Sequence, residues 1–304
     1  MSDDPRWPRA SAWLAGDHLD DVVARLGVVG LPLHVASLTP GRCDLSPGAI
    51  RDALHRMSTF DADDRVDIRS VEAVDLGDAG VGDLRPEDAL EPAMGAVRDA
   101  LEGRDAVVVL GGDNSVTRPG VQGLGIPLDR VGLITLDAHH DLRDTTDGLS
   151  NGNPVRALLE DGLPGGNVVQ IGILPFANSE AYAKVAAEAG ITVVTAAAVH
   201  EHGSIDDTVG SALDSLRDVD AIYVDLDVDV MDRAFAPASP GSRPGGLTPW
   251  QVQRAARLLG RHERVWAMDV VEVDPTRDVA EATALAAASF VLSFAAGLAS
   301  RRTS

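Results

Sequence analysis

The sequence VGLITLDAHHD, residues 131–141, joins a short apolar run to a cluster of acidic and imidazole side chains. The run Val131–Leu136 is short and rich in aliphatic and β-branched residues, which predicts a buried strand. Because successive side chains of a strand point to opposite faces, we expect Asp137, His139 and Asp141 to project together and His140 to project away. The stretch therefore predicts a strand of a sheet that ends in potential metal ligands.

Acidic side chains recur with the same spacing in IYVDLDVDV, residues 222–230. Alternation along this second strand would place Asp225, Asp227 and Asp229 on one face. So many carboxylates at two neighbouring strand ends repel one another unless cations lie between them. Carboxylate oxygens and an imidazole suit Mn²⁺ or a similar divalent ion better than a metal that prefers thiolates. The two stretches together predict a metal centre.

Short apolar segments alternate with helical segments along the chain, which is typical of a parallel sheet covered by helices on both faces. Besides 131–136, strands are predicted at residues 28–35, 74–78, 105–110, 168–173, 191–195, 221–230 and 265–273. No linker divides the chain, so we expect a single domain over residues 1–304, with a polar leader at 1–24 and a C-terminal helix at 276–304. Ligands of such sheets bind beyond the carboxyl ends of the strands, where both acidic stretches fall.

The composition excludes several classes of function. A net charge of -21 argues against nucleic acid or an anionic membrane as a partner, since both attract basic surfaces. The single cysteine, Cys43, excludes an internal disulfide and a cysteine-based zinc site and agrees with a reducing, cytoplasmic location. The run 282–300 is apolar enough to raise the question of a membrane span, but its Ala and Ser content favours a helix buried against the sheet or a subunit neighbour.

Four motifs resemble those of the ureohydrolase superfamily of arginase, agmatinase and formimidoylglutamase. They are GGDNS (residues 111–115), DAHHD (137–141), DVDVMD (227–232) and VVEVDP (270–275). The resemblance implies a three-layer α/β arginase-like fold, in which helices cover both faces of a central eight-stranded parallel sheet. It also implies a small-molecule substrate and a homo-oligomer, as a trimer or hexamer.

The resemblance further implies two Mn²⁺ ions, or other divalent ions, held by side chains of these motifs. The implied ligands are Asn114, Asp137, His139, Asp141, Asp227 and Asp229. Asn114 stands where this superfamily usually has a histidine. Because a neutral amide is a weaker ligand than imidazole for a transition ion, we expect the ion near Asn114 to bind less tightly than the other.

The segments DAHHDLRD (137–144), SNGNP (150–154) and GILPFANSEAY (172–182) most resemble bacterial formimidoylglutamases of histidine degradation. The resemblance implies hydrolysis of N-formimidoyl-L-glutamate to L-glutamate and formamide, by attack of a metal-bridging hydroxide on the formimidoyl carbon. The predicted catalytic residues are Asp141, as proton carrier, and Glu272, as the group that binds the amidinium. The predicted substrate contacts are Arg143, Asn151, Asn153, Arg156 and Glu272, with Arg243 as a further candidate.

Two alternatives remain open at the level of sequence. One is hydrolysis of a guanidino compound, such as agmatine, guanidinobutyrate or a modified arginine, which would release urea or a derivative. The other is a catalytically silent homologue that binds or regulates, which is motivated by Asn114 and by Asn151, since arginases carry histidine at both places. Comparing formamide with urea release in the presence of Mn²⁺ distinguishes all three.

Overall fold

The computed structural model describes residue 4 and residues 6–16, 24–201 and 203–301. Within these residues the strands are β1 (Leu26–Leu31), β2 (Phe60–Asp61), β3 (Val66–Asp67), β4 (Ala73–Asp78), β5 (Ala106–Gly111), β6 (Val131–Leu136), β7 (Val168–Ile173), β8 (Thr192–Thr195), β9 (Ala221–Leu226) and β10 (Val265–Val270). The α-helices are α1 (Ala10–Leu14), α2 (Ser46–Leu54), α3 (Pro86–Leu101), α4 (Thr117–Gly123), α5 (Pro154–Asp161), α6 (Glu180–Ala189), α7 (Ala196–Glu201), α8 (Ile205–Ser215), α9 (Pro249–Arg261) and α10 (Ala282–Ala299).

Eight of the strands form one parallel sheet in the order β4-β1-β5-β10-β9-β6-β7-β8, and β2 and β3 form a separate antiparallel ribbon. Side chains of β5 alternate between two apolar clusters: Val108 and Leu110 join one, Val107 and Val109 the other. Helices α1, α2 and α7 to α10 contribute to the first cluster, and α3 to α6 contribute to the second. The predicted eight-stranded parallel sheet with helices on both faces is confirmed.

The long apolar segment near the C-terminus forms α10, whose 18 residues are apolar enough to cross a membrane by length and composition alone. In the fold, 72% of this segment is buried, and it packs against α9. The two helices approach so closely at Gly297 that a Cβ atom there would lie 2.2 Å from the Arg257 carbonyl oxygen. The prediction of a buried helix is therefore confirmed.

Several predicted element bounds are corrected by the structure. β1 ends at Leu31 rather than at residue 35, because the following Pro32 has no N–H group to continue the ladder. The leader is not uniformly polar: Ala10–Leu14 is helical, and the Trp13 indole is buried and donates to the Val71 carbonyl oxygen at 2.8 Å. The C-terminal helix begins at Ala282 rather than at residue 276, and Pro275–Arg277 forms a separate 3-10 turn. Residues 1–3, 5 and 17–23 of the predicted leader, and 302–304 of the predicted C-terminal helix, lie outside the described residues.

Candidate metal centre

The predicted ligands converge at the carboxyl ends of four strands that lie side by side, β5, β10, β9 and β6. Asn114 follows β5, residues 137–141 follow β6, Asp227 and Asp229 follow β9, and Glu272 follows β10. Because the carboxyl ends of neighbouring parallel strands meet at one edge of a sheet, residues far apart in sequence become neighbours there. This edge is the candidate site.

The ligands lie on loops beyond the strands, so the predicted convergence of Asp137 and His139 is seen, but turns rather than strand alternation produce it. Asp229 lies in a 3-10 turn, Val228–Val230, whose start is capped by the Asp227 carboxylate, which accepts the Asp229 N–H at 2.7 Å. Asp141 has a positive φ of 52°, a conformation that residues other than glycine rarely adopt. Local turns, rather than the pleat of the sheet, direct these side chains.

Three side chains form a compact set of potential ligands at the centre of the site. One ligand atom each from Asp137, His139 and Asp229 lies within 4.8 Å of the others. His139 Nδ1 lies 2.9 Å from Asp229 Oδ2 and 3.5 Å from Asp137 Oδ1. The other Asp229 oxygen accepts the Ala138 N–H at 3.0 Å, which fixes the carboxylate. Gly241 covers the set, since a Cβ atom there would lie 1.9 Å from Asp229 Oδ2.

The electrostatics of this set indicate that it requires positive charge. Burial, and then the neighbouring Asp229 carboxylate, raise the pKa of Asp137 to about 7. Burial and the same neighbour raise the pKa of Asp227 well above its usual value. Burial lowers the pKa of His139, but the two carboxylates beside it outweigh that effect and raise it to about 12. Buried carboxylates with raised pKa values are stabilised by a nearby positive charge. Together with an imidazole nitrogen, they fit a divalent cation.

Asn114 and Asp141 lie next to each other beside this set. The Asn114 side-chain nitrogen donates a hydrogen bond to Asp141 Oδ2, and the Asn114 backbone N–H donates to Glu272 Oε1 at 2.9 Å. The Asn114 side-chain oxygen instead faces the Thr117 hydroxyl at 2.9 Å. Burial and then the Asp137 carboxylate raise the pKa of Asp141 well above its usual value. Asn114 thus lies beside Asp141, with its amide nitrogen facing that carboxylate.

Glu272 is held in place by two amide groups. Its Oε1 atom accepts from the Asn114 backbone and from the Asn151 side chain, the latter at 2.8 Å, and Asn151 in turn accepts the Leu38 N–H at 2.9 Å. The backbone at Glu272 has a positive φ of 66°, a costly conformation that concentrates at functional sites. Burial and then the Asp113 carboxylate raise the pKa of Glu272 to about 8. Asn151 therefore orients Glu272. The sequence comparison showed only that arginases have a histidine at this position, and it did not predict this role.

A cavity of about 290 Å³ opens onto these side chains. Its lining includes His139, Asp141, Asp227, Asp229, Glu272, Asn151, Arg143 and Arg243. The Arg143 guanidinium has no ion-pair partner among the described residues, and its backbone N–H donates to the Gly152 carbonyl oxygen at 3.1 Å. The Arg243 guanidinium donates to the backbone carbonyl oxygens of residues 240–242. Two guanidinium groups thus face a cavity that otherwise carries acidic side chains.

Two of the predicted substrate contacts lie away from this cavity. The Arg156 guanidinium pairs with Glu160, one turn further along α5, at 2.6 Å. Asn153 is buried and braces its own loop, accepting the Ser150 N–H and donating to the carbonyl oxygens of Asp144 and Gly148. Their positions therefore do not support the prediction that Asn153 and Arg156 contact substrate.

Supporting residues that the sequence did not single out hold the 137–141 loop. His140 points away from the ligands, as expected, and its Nδ1 atom lies 2.7 Å from Gln170 Oε1 on β7. Gln170 returns a hydrogen bond to the His140 carbonyl oxygen at 3.0 Å. Asn178 accepts the His140 N–H and donates to the Ala138 carbonyl oxygen, both at 2.9 Å. Amide side chains often form hydrogen bonds to the backbone of a loop, but the sequence does not show which loop Gln170 and Asn178 contact.

Beneath the ligands, a second group of polar side chains is buried within the sheet. Asp269 on β10 accepts the Tyr223 hydroxyl at 2.9 Å and the Leu226 N–H at 3.0 Å. Asp225, which alternation placed on one face with Asp227 and Asp229, is fully buried beside the Asp269 carboxylate. Burial, and then the Asp269 carboxylate, raise the pKa of Asp225 well above its usual value. The only sequence signal for Asp269 was an acidic residue inside an apolar strand.

Comparisons with known proteins agree with this geometry. The Arginase family profile matches residues 24–297. A formimidoylglutamase of Halalkalibacterium halodurans is 37% identical over 276 residues, 89% of this chain and 86% of that protein. A guanidinopropionase of Pseudomonas aeruginosa is 32% identical, over 90% of this chain and 86% of that protein. The crystal structure of a Bacillus subtilis formimidoylglutamase superposes with a TM-score of 0.92 at 28% identity, covering 100% of this chain and 95% of that chain. The chain belongs to the arginase family.

Proposed function

We propose that this protein hydrolyses N-formimidoyl-L-glutamate to L-glutamate and formamide at a centre of two divalent cations. The observation that carries the proposal is the cavity in which metal-ligand side chains and Glu272 lie together with the guanidinium groups of Arg143 and Arg243. The similarity to formimidoylglutamases of Halalkalibacterium halodurans and Bacillus subtilis supports the same substrate. Formimidoylglutamate has a cationic amidine at one end and two carboxylates at the other, so it matches both kinds of charge.

The metal ligands we propose are Asn114, Asp137, His139, Asp141, Asp227 and Asp229, and the ions are Mn²⁺ or a similar divalent metal. The mixed oxygen and imidazole donors favour that choice of metal over a thiolate-seeking one. When bound, such ions lower the pKa of a coordinated water molecule toward neutrality and supply a nucleophile near neutral pH.

The side chains of the cavity then orient the reactants. Glu272, fixed by Asn151, would bind the amidinium and present its carbon to the nucleophile. Asp141 would take a proton from the attacking water and deliver it to the glutamate nitrogen. The bond between that nitrogen and the formimidoyl carbon breaks, and the water oxygen leaves in formamide. Arg143 would pair with a substrate carboxylate through charge-assisted hydrogen bonds, with Arg243 beside it.

The second candidate function is hydrolysis of a guanidino acid, favoured by the similarity to the guanidinopropionase of Pseudomonas aeruginosa. Such a substrate also joins a planar cation to a carboxylate, but it has one carboxylate rather than two. Two guanidinium groups that line the cavity and form no ion pair within the described residues favour the dicarboxylate. A silent homologue is disfavoured because burying several carboxylates together destabilises the fold unless a cation binds between them.

A substrate panel tests the proposal. The purified protein, with Mn²⁺ added, would be given N-formimidoyl-L-glutamate, guanidinopropionate, guanidinobutyrate and agmatine, with formamide and urea measured separately. We expect formamide release, with kcat/KM for formimidoylglutamate about 10- to 100-fold above every guanidino compound, because the second carboxylate adds a hydrogen bond to a charged group, which contributes about 1.5–3 kcal/mol. Faster urea release would establish the guanidino alternative, and no turnover in the presence of bound metal would establish the silent homologue.

We also infer a homo-oligomer, as a trimer or hexamer, and a cytoplasmic location. The lone, buried Cys43 agrees with a reducing compartment. Light scattering of the purified protein tests the oligomer, for which a monomeric mass would be the contrary result.

A further inference from the structure

A buried chain of polar groups connects Asn114 to the interior of the sheet. Thr117, the first residue of α4, places its hydroxyl oxygen 2.9 Å from the Asn114 side-chain oxygen and 3.2 Å from Asp269 Oδ2. Asn114, Thr117 and Asp269 are each at most 1% exposed. The chain therefore runs from a proposed metal ligand to a carboxylate that does not itself reach the cavity.

Asp269 acts as an acceptor in this chain. Its Oδ2 atom accepts the Tyr223 hydroxyl proton and its Oδ1 atom accepts the Leu226 N–H. Gly120 on α4 makes room for this arrangement, since a Cβ atom there would lie 2.1 Å from the Tyr223 hydroxyl oxygen. Asp269 thus offers the Thr117 hydroxyl the same carboxylate oxygen that accepts the Tyr223 proton, with the buried Asp225 carboxylate beside it.

Thr117 has one hydroxyl proton and two neighbouring acceptors, so it can donate to only one of them. If it donates to Asn114, the amide oxygen faces Thr117 and the amide nitrogen faces Asp141, as the side chains stand here. If Thr117 donates to Asp269, its hydroxyl oxygen can accept a hydrogen bond from Asn114. The favourable orientation of the Asn114 amide is then the opposite one, with its nitrogen toward Thr117 and its oxygen toward Asp141. Hydrogen bonds to a carboxylate are roughly twice as strong as those to a neutral amide, which favours donation to Asp269.

The two orientations differ in which atom Asn114 turns toward Asp141. With its nitrogen turned toward Asp141, Asn114 presents N–H groups, which cannot bind a cation. With its nitrogen turned toward Thr117, Asn114 presents its carbonyl oxygen, which is a ligand for a hard divalent ion. A half-turn of the amide, coupled to rotation of one hydroxyl, exchanges the two states.

We propose that Thr117, supported by Asp269, is a positioning residue that turns the Asn114 carbonyl oxygen toward the second, weaker cation. Thr117 itself touches neither cation nor substrate; it accepts the Asn114 amide proton while its own proton goes to Asp269. The inference rests on the proposed function, because it presupposes the two-cation centre.

The test is a Mn²⁺ titration of the full-length protein after chelation, with free Mn²⁺ followed by electron paramagnetic resonance. Thr117→Val keeps the shape of the side chain and removes the hydroxyl. We expect it to weaken the second ion by about 10- to 100-fold, the usual effect of losing a partner of a metal ligand, and to leave the first ion unchanged within about threefold. The matched control, Thr117→Ser, keeps the hydroxyl and should bind both ions as the unaltered protein does.

Each other outcome is decisive. Unchanged binding of both ions in Thr117→Val would overturn the proposal, and so would equal weakening of both ions, which indicates general damage. A Thr117→Ser variant as weak as Thr117→Val would also overturn it, because the methyl group rather than the hydroxyl would then matter. If the unaltered protein binds no Mn²⁺, the proposed function itself fails. This failure can be told apart from failure of the Thr117 proposal, because it is seen in the unaltered protein alone.

Discussion

At the scale of single residues, the site is defined by carboxylates that oppose one another. Asp137, Asp141 and Asp227 are buried with raised pKa values, and the one imidazole among them, His139, does not balance their charge. The convergence of these residues could be predicted from the four motifs taken together, because a single Asp after a strand commonly caps a turn, as Asp227 does here. The role of Arg156 could not, because its partner Glu160 depends on how α5 is oriented relative to the cavity.

Replacing Arg143 tests which guanidinium recognises the substrate. We expect Arg143→Ala to lower kcat/KM by about 10- to 100-fold, since a hydrogen bond to a charged group contributes about 1.5–3 kcal/mol. The loss should be mainly in KM, because a carboxylate remote from the reacting carbon is bound equally in the ground and transition states. Steady-state kinetics with formimidoylglutamate measures this.

Arg156→Ala is the matched control, since that side chain pairs with Glu160 outside the cavity and its removal should change kcat/KM by less than about twofold. An Arg143→Ala variant with unaltered KM and reduced kcat would reject the role assigned to Arg143.

At the scale of elements, the apolar strands were predictable, but their ends were less so. β7 lies where its apolar run predicts, whereas the predicted strand 221–230 ends at Leu226 and continues as a 3-10 turn. The sequence DVDV alternates like a strand, but the Asp227 side chain caps the turn by accepting the Asp229 N–H, which competes with the sheet ladder. Capping by a short acidic side chain is a local interaction that alternation alone does not reveal.

The crossing of α9 and α10 gives a prediction for stability. In Gly297→Ala, the new Cβ atom would lie 2.2 Å from the Arg257 carbonyl oxygen and 2.7 Å from the Arg261 nitrogen. Because these are backbone atoms that cannot rotate away, we expect a loss of about 1–3 kcal/mol in the free energy of unfolding, measured by chemical denaturation.

The matched control is Gly95→Ala in α3, where a Cβ atom would meet nothing within 4 Å. There the gain in helix propensity should raise the free energy of unfolding by about 0.5–1 kcal/mol. A Gly297→Ala variant as stable as the original protein would show that the helices can separate without cost.

At the scale of the whole molecule, the order of strands creates the site. β5, β10, β9 and β6 are neighbours in the sheet although β10 is the last strand in the chain. Alternating strands and helices predicted a parallel sheet, and the four motifs predicted which strand ends meet. Residues outside those motifs, such as Thr117 and Asp269, could not be assigned from sequence because only the packing of α4 on the sheet joins them.

Proton competition gives a prediction for the assembled centre. Burial and Asp229 raise the pKa of Asp137 to about 7, and burial raises the pKa values of Asp141 and Asp227 well above their usual range. Asp137 therefore holds more protons at pH 6 than at pH 8, and a protonated carboxyl group is a poor ligand. Mn²⁺ affinity, measured by calorimetry, should therefore fall as the pH is lowered from about 8 to about 6. Constant affinity across that range would show that the carboxylates do not bind the metal.

The central claim is that the buried carboxylates at one edge of the sheet bind two divalent cations. The most direct measurement is a crystal structure of the protein with Mn²⁺, using anomalous scattering to locate the ions, together with the same measurement on Asp227→Ala. We predict two anomalous peaks that share Asp137 and Asp227, and the loss of both peaks in the variant. A map without Mn²⁺ between these carboxylates at saturating metal, or a variant that retains both ions, would contradict the account.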